Sequence, residues 1–138
     1  AGYVIAFAAV MMPILTYRTV KENWTISRSY TNYDVIVHQQ ELKHAIPDNE
    51  RCIFLNDVSQ HIWPYLLDKK GYVFYVEQLP KEWIEDMILT KNVRYMYSDN
   101  RLVDENPENK KLFRSIIIQK GTIKLIELKT KDELTKMK

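Results

Sequence analysis

Asp57, Ser59 and His61 lie within five residues of one another and have the types of a hydrolase triad. In such a triad a hydroxyl attacks, an imidazole takes its proton and a carboxylate orients the imidazole. One short loop rarely arranges three members around a single reacting carbon, and the Gly-x-Ser-x-Gly turn that lifts a serine off a strand end is missing. The same spacing suits a helix N-cap, with Asp57 or Ser59 accepting from the first amides of the next helix, and that reading is favoured. His38 and His44 are six residues apart, which does not put both imidazoles on one helix face, and with His61 they lack the spacing of metal ligands. Cys52 is the one cysteine, so neither an intrachain disulfide nor a cysteine-based zinc site can form; beside Ile53 and Phe54 it reads as a small core residue. The three glycines, Gly2, Gly71 and Gly121, cannot build a phosphate loop, and the turn Asn56–Gln60 has nothing to wrap a pyrophosphate. No cofactor is expected.

A second constellation needs the fold to assemble it. Ligands of open parallel sheets bind beyond the carboxyl ends of the strands. Those ends carry Asn56 and Asp57, then Glu77, then Ser98 and Asp99. Together with His61, Trp63 and Lys70 they make a polar rim with an aromatic platform, suited to a sugar or a polar headgroup. The competing reading is that strand ends are polar because they are solvated.

Positioning such a rim requires alternating strands and helices. The spacing predicts a helix over Asn32–Ala45, opened by a Thr31/Asp34 capping box and ended by Pro47. Arg51–Asp57 carries the continuous apolar run of a buried parallel strand. Gln60–Lys69 reads as a short irregular helix, and Gly71 introduces a strand over Tyr72–Val76. Pro80–Lys91 is a helix with Trp83, Ile84, Met87 and Ile88 on its apolar face and Asn92 as its left-handed stop. A strand Val93–Tyr97, a short helix Asn106–Phe113, and a hairpin of Ser115–Gln119 with Thr122–Leu128 around Lys120-Gly121 follow. Lys129–Lys138 is charge-rich, helical or frayed. The expected fold is a small α/β domain of two or three layers, with a mainly parallel sheet, crossover helices and a C-terminal β-hairpin.

Composition divides the chain. Of 138 residues, 46% are hydrophobic and 28% charged, and 20 Lys and Arg against 18 Asp and Glu give a net charge of +2. That balance excludes a strongly basic nucleic-acid binder, and no nucleic-acid partner is expected. No charged residue falls in Ala1–Tyr17, which is apolar on every helical face. As a helix those residues span roughly 25 Å, slightly less than a bilayer core. The expected organisation is the end of a transmembrane helix over 1–17, a connector over 18–31 and a soluble α/β domain over 32–138, with Tyr17 and Trp24 at the interface. A helix buried in a soluble core is the alternative, and a domain of this size would struggle to wrap it. Arg18, Lys21 and Arg28 after the strip point weakly to a cytoplasmic domain.

The order of short motifs resembles a known group. Leu42–Asp48 closes a connecting helix, Asn56-Asp57 ends a strand, and Trp63-Pro64-Tyr65 and Lys69-Lys70-Gly71-Tyr72 follow. Leu79-Pro80 then opens a helix, and Val93–Ser98 forms a strand. This pattern is similar to the soluble C-terminal domain of bacterial membrane glycosyltransferases related to family 39, the protein mannosyltransferase and aminoarabinose transferase group. Leu66-Leu67 stands where a further aromatic is usual. The resemblance implies an extracytoplasmic, periplasmic domain of an inner-membrane enzyme that uses a polyprenyl-phosphate-linked sugar, the domain assisting acceptor or headgroup binding. The family's catalytic carboxylates lie in a membrane domain outside these residues, so no residue here inherits a catalytic role. The partners implied are the membrane through residues 1–17, that membrane domain, and a lipid-linked sugar or acceptor glycan. Two readings from other classes stand beside it: a membrane-tethered binding or assembly module without an enzyme, and a free-standing hydrolase using Asp57, Ser59 and His61.

Overall fold

The computed structural model describes residues 2–23, 32–59, 61–75 and 79–136. The first helix, α1 (Gly2–Asn23), passes through Pro13 and, at 22 residues, is about 33 Å long. It runs six residues beyond the apolar strip, and Arg18 Nε donates to Glu22 Oε1 at 2.9 Å one turn on. Tyr3–Glu22 is long and apolar enough to cross a membrane by length and composition, and no part of it is buried; Tyr3 is 93% exposed. The chain therefore carries one N-terminal apolar helix with the character of a membrane anchor or a signal sequence. Trp24 and Thr31, assigned above to an interface and a cap, lie outside the described residues.

Asn32 caps the next helix by accepting from the Asp34 amide at 2.9 Å. The single helix expected over Asn32–Ala45 is instead two, α2 (Tyr33–Val37) and α3 (Gln39–His44), broken at His38 with φ −101° and ψ 19°. Three successive β-branched residues, Val35, Ile36 and Val37, precede the break and disfavour helical continuation. Strand β1 (Arg51–Leu55), helix α4 (Ile62–Leu67) and strand β2 (Lys70–Phe74) form the first crossover unit. β2 begins two residues earlier than expected because Gly71 is a paired position: it faces Cys52 across the ladder, and a Cβ there would lie 1.8 Å from the Cys52 carbonyl oxygen. Helix α5 (Lys81–Lys91) then leads to β3 (Tyr95–Ser98), with Asn92 left-handed at φ 54°, as its sequence position suggested.

The segment after β3 holds two single-turn helices where one was expected. α6 (Arg101–Asp104) is capped by Asn100, and α7 (Pro107–Lys110) by Asn106 with Pro107 in its first turn. Phe113 belongs not to a helix but to β4 (Phe113–Lys120), which turns through Gly121, at φ 56°, into β5 (Ile123–Leu128). Helix α8 (Lys131–Lys136) resolves the charged C-terminal segment as helical.

The sheet order is β2-β1-β3-β5-β4. β1 lies parallel to both β2 and β3, while β5 is antiparallel to β3 and to β4. The fold is therefore α/β with a mixed five-stranded sheet. The hairpin does not simply add two edges: β5 sits inside the sheet, and of its two strands β4 alone is an edge. Period-two alternation assigns Cys52, Phe54, Tyr95, Tyr97, Ile123 and Leu125 to one face, where Val35, Leu42, Trp63 and Leu67 of α2–α4 cover them. Ile53, Leu55, Met96, Ile126 and Leu128 face the other way, under α5 to α8. Helices on both faces make three layers, and both layers close without α1.

Candidate functional site

β1 connects outward to β2, and β2 returns across β1 to β3, so the connection direction reverses between the carboxyl ends of β1 and β3. Such a reversal opens a crevice between the diverging connections. Asn56, left-handed at φ 77°, leaves β1 there, its amide donating to the Phe74 carbonyl at 2.7 Å. Its Nδ2 donates to Asp99 Oδ1 at 2.8 Å, while Asn32 Nδ2 donates to Asp99 Oδ2 at 2.7 Å and to Thr122 Oγ1 at 2.8 Å. Thr122 in turn donates from its amide (2.8 Å) and hydroxyl (2.9 Å) to Asp34 Oδ2. The Thr122 amide is the main cause holding the Asp34 carboxyl below the usual carboxylate range. Asn32, the first described residue after α1, the end of β1, the end of β3 and the hairpin tip are thus laced together.

Beside this lacing opens a cleft of about 430 Å³. Asp99, Arg101 and Glu105, which follow β3, line it together with Gln119, Thr122 and Lys124 of the hairpin. Lys124 arrives because β5 pairs with β3 in the register Ser98↔Lys124. Its Nζ lies 3.2 Å from Oδ2 of the buried Asp104, although neither Asp104 oxygen receives a well-aligned hydrogen bond. Burial pushes the Asp104 carboxyl up, more than Ser98 and Lys124 pull it down. Arg101 has no ion-pair partner among the described residues and projects from an exposed turn. A second groove, of about 640 Å³ along β4, shares Glu105, Gln119 and Lys124 with the first. Chemically this is a binding arrangement. A guanidinium matches a phosphate or carboxylate edge, and a carboxylate fixed by two amides keeps lone pairs for ligand hydroxyls.

Of the rim residues named from sequence, Asp99 reaches the cleft. Asp57 is fully buried and caps α4: its Oδ2 accepts from the Trp63 amide at 2.9 Å and its Oδ1 from the Ser59 amide and hydroxyl. The Ser59 hydroxyl accepts from the amides of His61 and Ile62, so it is spent on the same turn, as the N-cap reading anticipates. His61 is exposed at the start of α4 and enters these bonds only through its amide. Two positions need correction. Trp63 is fully buried in the core under α4 and offers no platform to a ligand. Lys70 is the first residue of β2, at the amino end of the parallel strands and away from the rim, because the strand starts earlier than its aromatic run suggests. Glu77 lies outside the described residues.

Arg101, Thr122 and Lys124 were not singled out from sequence, and Asn32 and Asp34 were read only as part of a helix start. Their signal was non-local: the hairpin itself is legible, but the strand it joins is not. Cys52 is buried with its thiol pushed up to about 12 by burial, which leaves it inert. Among the described residues no group of His, Cys, Asp and Glu is gathered for a metal ion. No protein family, curated protein or solved structure matches the chain.

Proposed function

We propose that the chain is a membrane-anchored, non-catalytic α/β domain of a glycosyltransferase that uses a polyprenyl-phosphate-linked sugar. It stands on the extracytoplasmic side of a bacterial inner membrane and helps hold the donor headgroup or the acceptor. One observation carries the reading: an apolar helix of membrane-spanning length, none of it buried, precedes a body whose two core layers close without it. The polar cleft supports it with matching chemistry, Arg101 for a phosphate and Asp99 for sugar hydroxyls. The resemblance in motif order from Leu42 to Ser98 supports the choice of family.

The test is calorimetric titration of the chain in nanodiscs with a short-chain polyprenyl-phosphate mannose, with sugar transfer assayed in the same mixture. Binding is expected, Arg101→Ala weakens it about tenfold, the loss of one charge-assisted contact, and no transfer occurs. Transfer by this chain alone, or binding indifferent to Arg101, overturns the reading. The exposed β4 edge, where Ile116 and Ile117 face solvent, favours a second reading as an assembly module that pairs with another protein. Unchanged β4 amide protection in the assembled membrane protein would count against that reading.

A further inference from the structure

At the other margin of the sheet β2 is an edge strand, so the side chains it turns toward α5 are covered on one side only. Tyr72 and Phe74, two residues apart, share that face and pack against its core. Trp83, Met87 and Lys91 follow at four-residue steps along α5 and meet them. They enclose a cleft of about 370 Å³ whose aromatic surface comes from Tyr72, Phe74 and Trp83. The Phe74 and Trp83 rings are 6.2 Å apart and inclined at 50°, so they present two π faces at an angle. Trp83, expected on the buried face of α5, is 54% exposed at this opening. Asp86 and Lys91 flank it, and neither side chain pairs with another described residue.

We propose that this cleft is a binding site for the ring of a neutral saccharide, independent of the polar cleft and of the function proposed above. A pyranose offers a flat face of C–H bonds to an aromatic ring, and hydroxyls at its rim that both donate and accept. The Asp86 carboxylate and the Lys91 ammonium in the lining, unpaired among the described residues, complement both roles. A hydrocarbon chain would set both charges against apolar carbon, and a ligand of one charge would be opposed by one of the two. The volume falls in the range of small-molecule sites, which are mainly apolar with a few placed polar groups.

The full chain in nanodiscs is titrated with mannotriose, cellotriose and chitotriose while the indole N–H of Trp83 is followed by NMR. At least one of these probes is expected to shift that signal saturably. Trp83→Ala and Asp86→Ala each weaken binding about tenfold, the scale of one lost stacking or hydrogen-bonding partner, and Trp83→Phe restores part of it. Trp83 is half exposed, so its variants are expected to keep the native amide spectrum, and Tyr65→Ala, at another exposed aromatic, leaves binding unchanged. The proposal is overturned if no saccharide moves the Trp83 signal, or if binding survives Trp83→Ala. It is equally overturned if the signal answers only to protein concentration, to a proline-rich peptide or to phosphatidylglycerol vesicles.

Discussion

At the scale of single residues, the Asp104–Lys124 pair shows how burial and charge compete. Asp104 carries a net penalty for its charged form, since burial outweighs its neighbours. Ser98 and Lys124 offset part of that penalty, and Lys124 supplies the opposite charge. Lys124→Met is therefore expected to destabilise the fold by about 3 kcal/mol, the scale for a buried carboxylate left without its partner. Asp104→Asn changes stability by less than about 1 kcal/mol, and the double variant recovers most of the loss. Urea unfolding of the three variants checks this; a larger cost for Asp104→Asn than for Lys124→Met contradicts it. Polar residues that bond within a few positions were legible from sequence: Asp57 and Ser59 read as a cap and serve as one. Trp63 was not, since an indole in an amphipathic stretch reads equally as surface or core until the sheet beneath it is known.

At the scale of elements, short-range rules held and pairings over distance did not announce themselves. Asn92 ends α5 as its left-handed propensity suggests, yet nothing local signals that β5 inserts between β3 and β4. Gly71 punctuates the sequence like a turn residue but is a close-packed ladder position. Helix α8 is held by a reciprocal cap. The Thr130 amide and hydroxyl donate to Glu133 Oε2 at 2.8 and 3.0 Å, the Glu133 amide donates to Thr130 Oγ1 at 3.4 Å, and Arg114 Nη2 donates to Glu133 Oε1 at 2.5 Å. The Thr130 amide, then Arg114, hold the Glu133 carboxyl down at about 2 against an ordinary 4.5. A depressed acid stabilises the fold fully above its unfolded value and progressively less as pH falls from there toward its folded value. Hydrogen-exchange protection of α8 is thus expected to decline between those two values and to become insensitive to pH in Glu133→Gln. Full protection of α8 at the acid end would contradict it.

At the scale of the whole molecule, the described residues form two parts of different solvent preference: an apolar helix with no buried surface and a three-layer body. Residues 32–138 alone are therefore expected to be soluble and to unfold cooperatively with the midpoint the body has in the full chain, whereas the full chain partitions into detergent. Urea unfolding and phase partitioning test this, and a fragment that aggregates or melts early refutes it. Asn32 has a geometric consequence at this scale. It is the body's first described residue after α1, and its side chain is bonded into the polar cleft through Asp99 and Thr122. Even fully extended, the backbone from Asn23 to Asn32 covers no more than about 32 Å. If α1 is embedded in a bilayer, the cleft is on a leash: Asn32 stays within about 32 Å of the end of α1, so lipid headgroups remain within its reach.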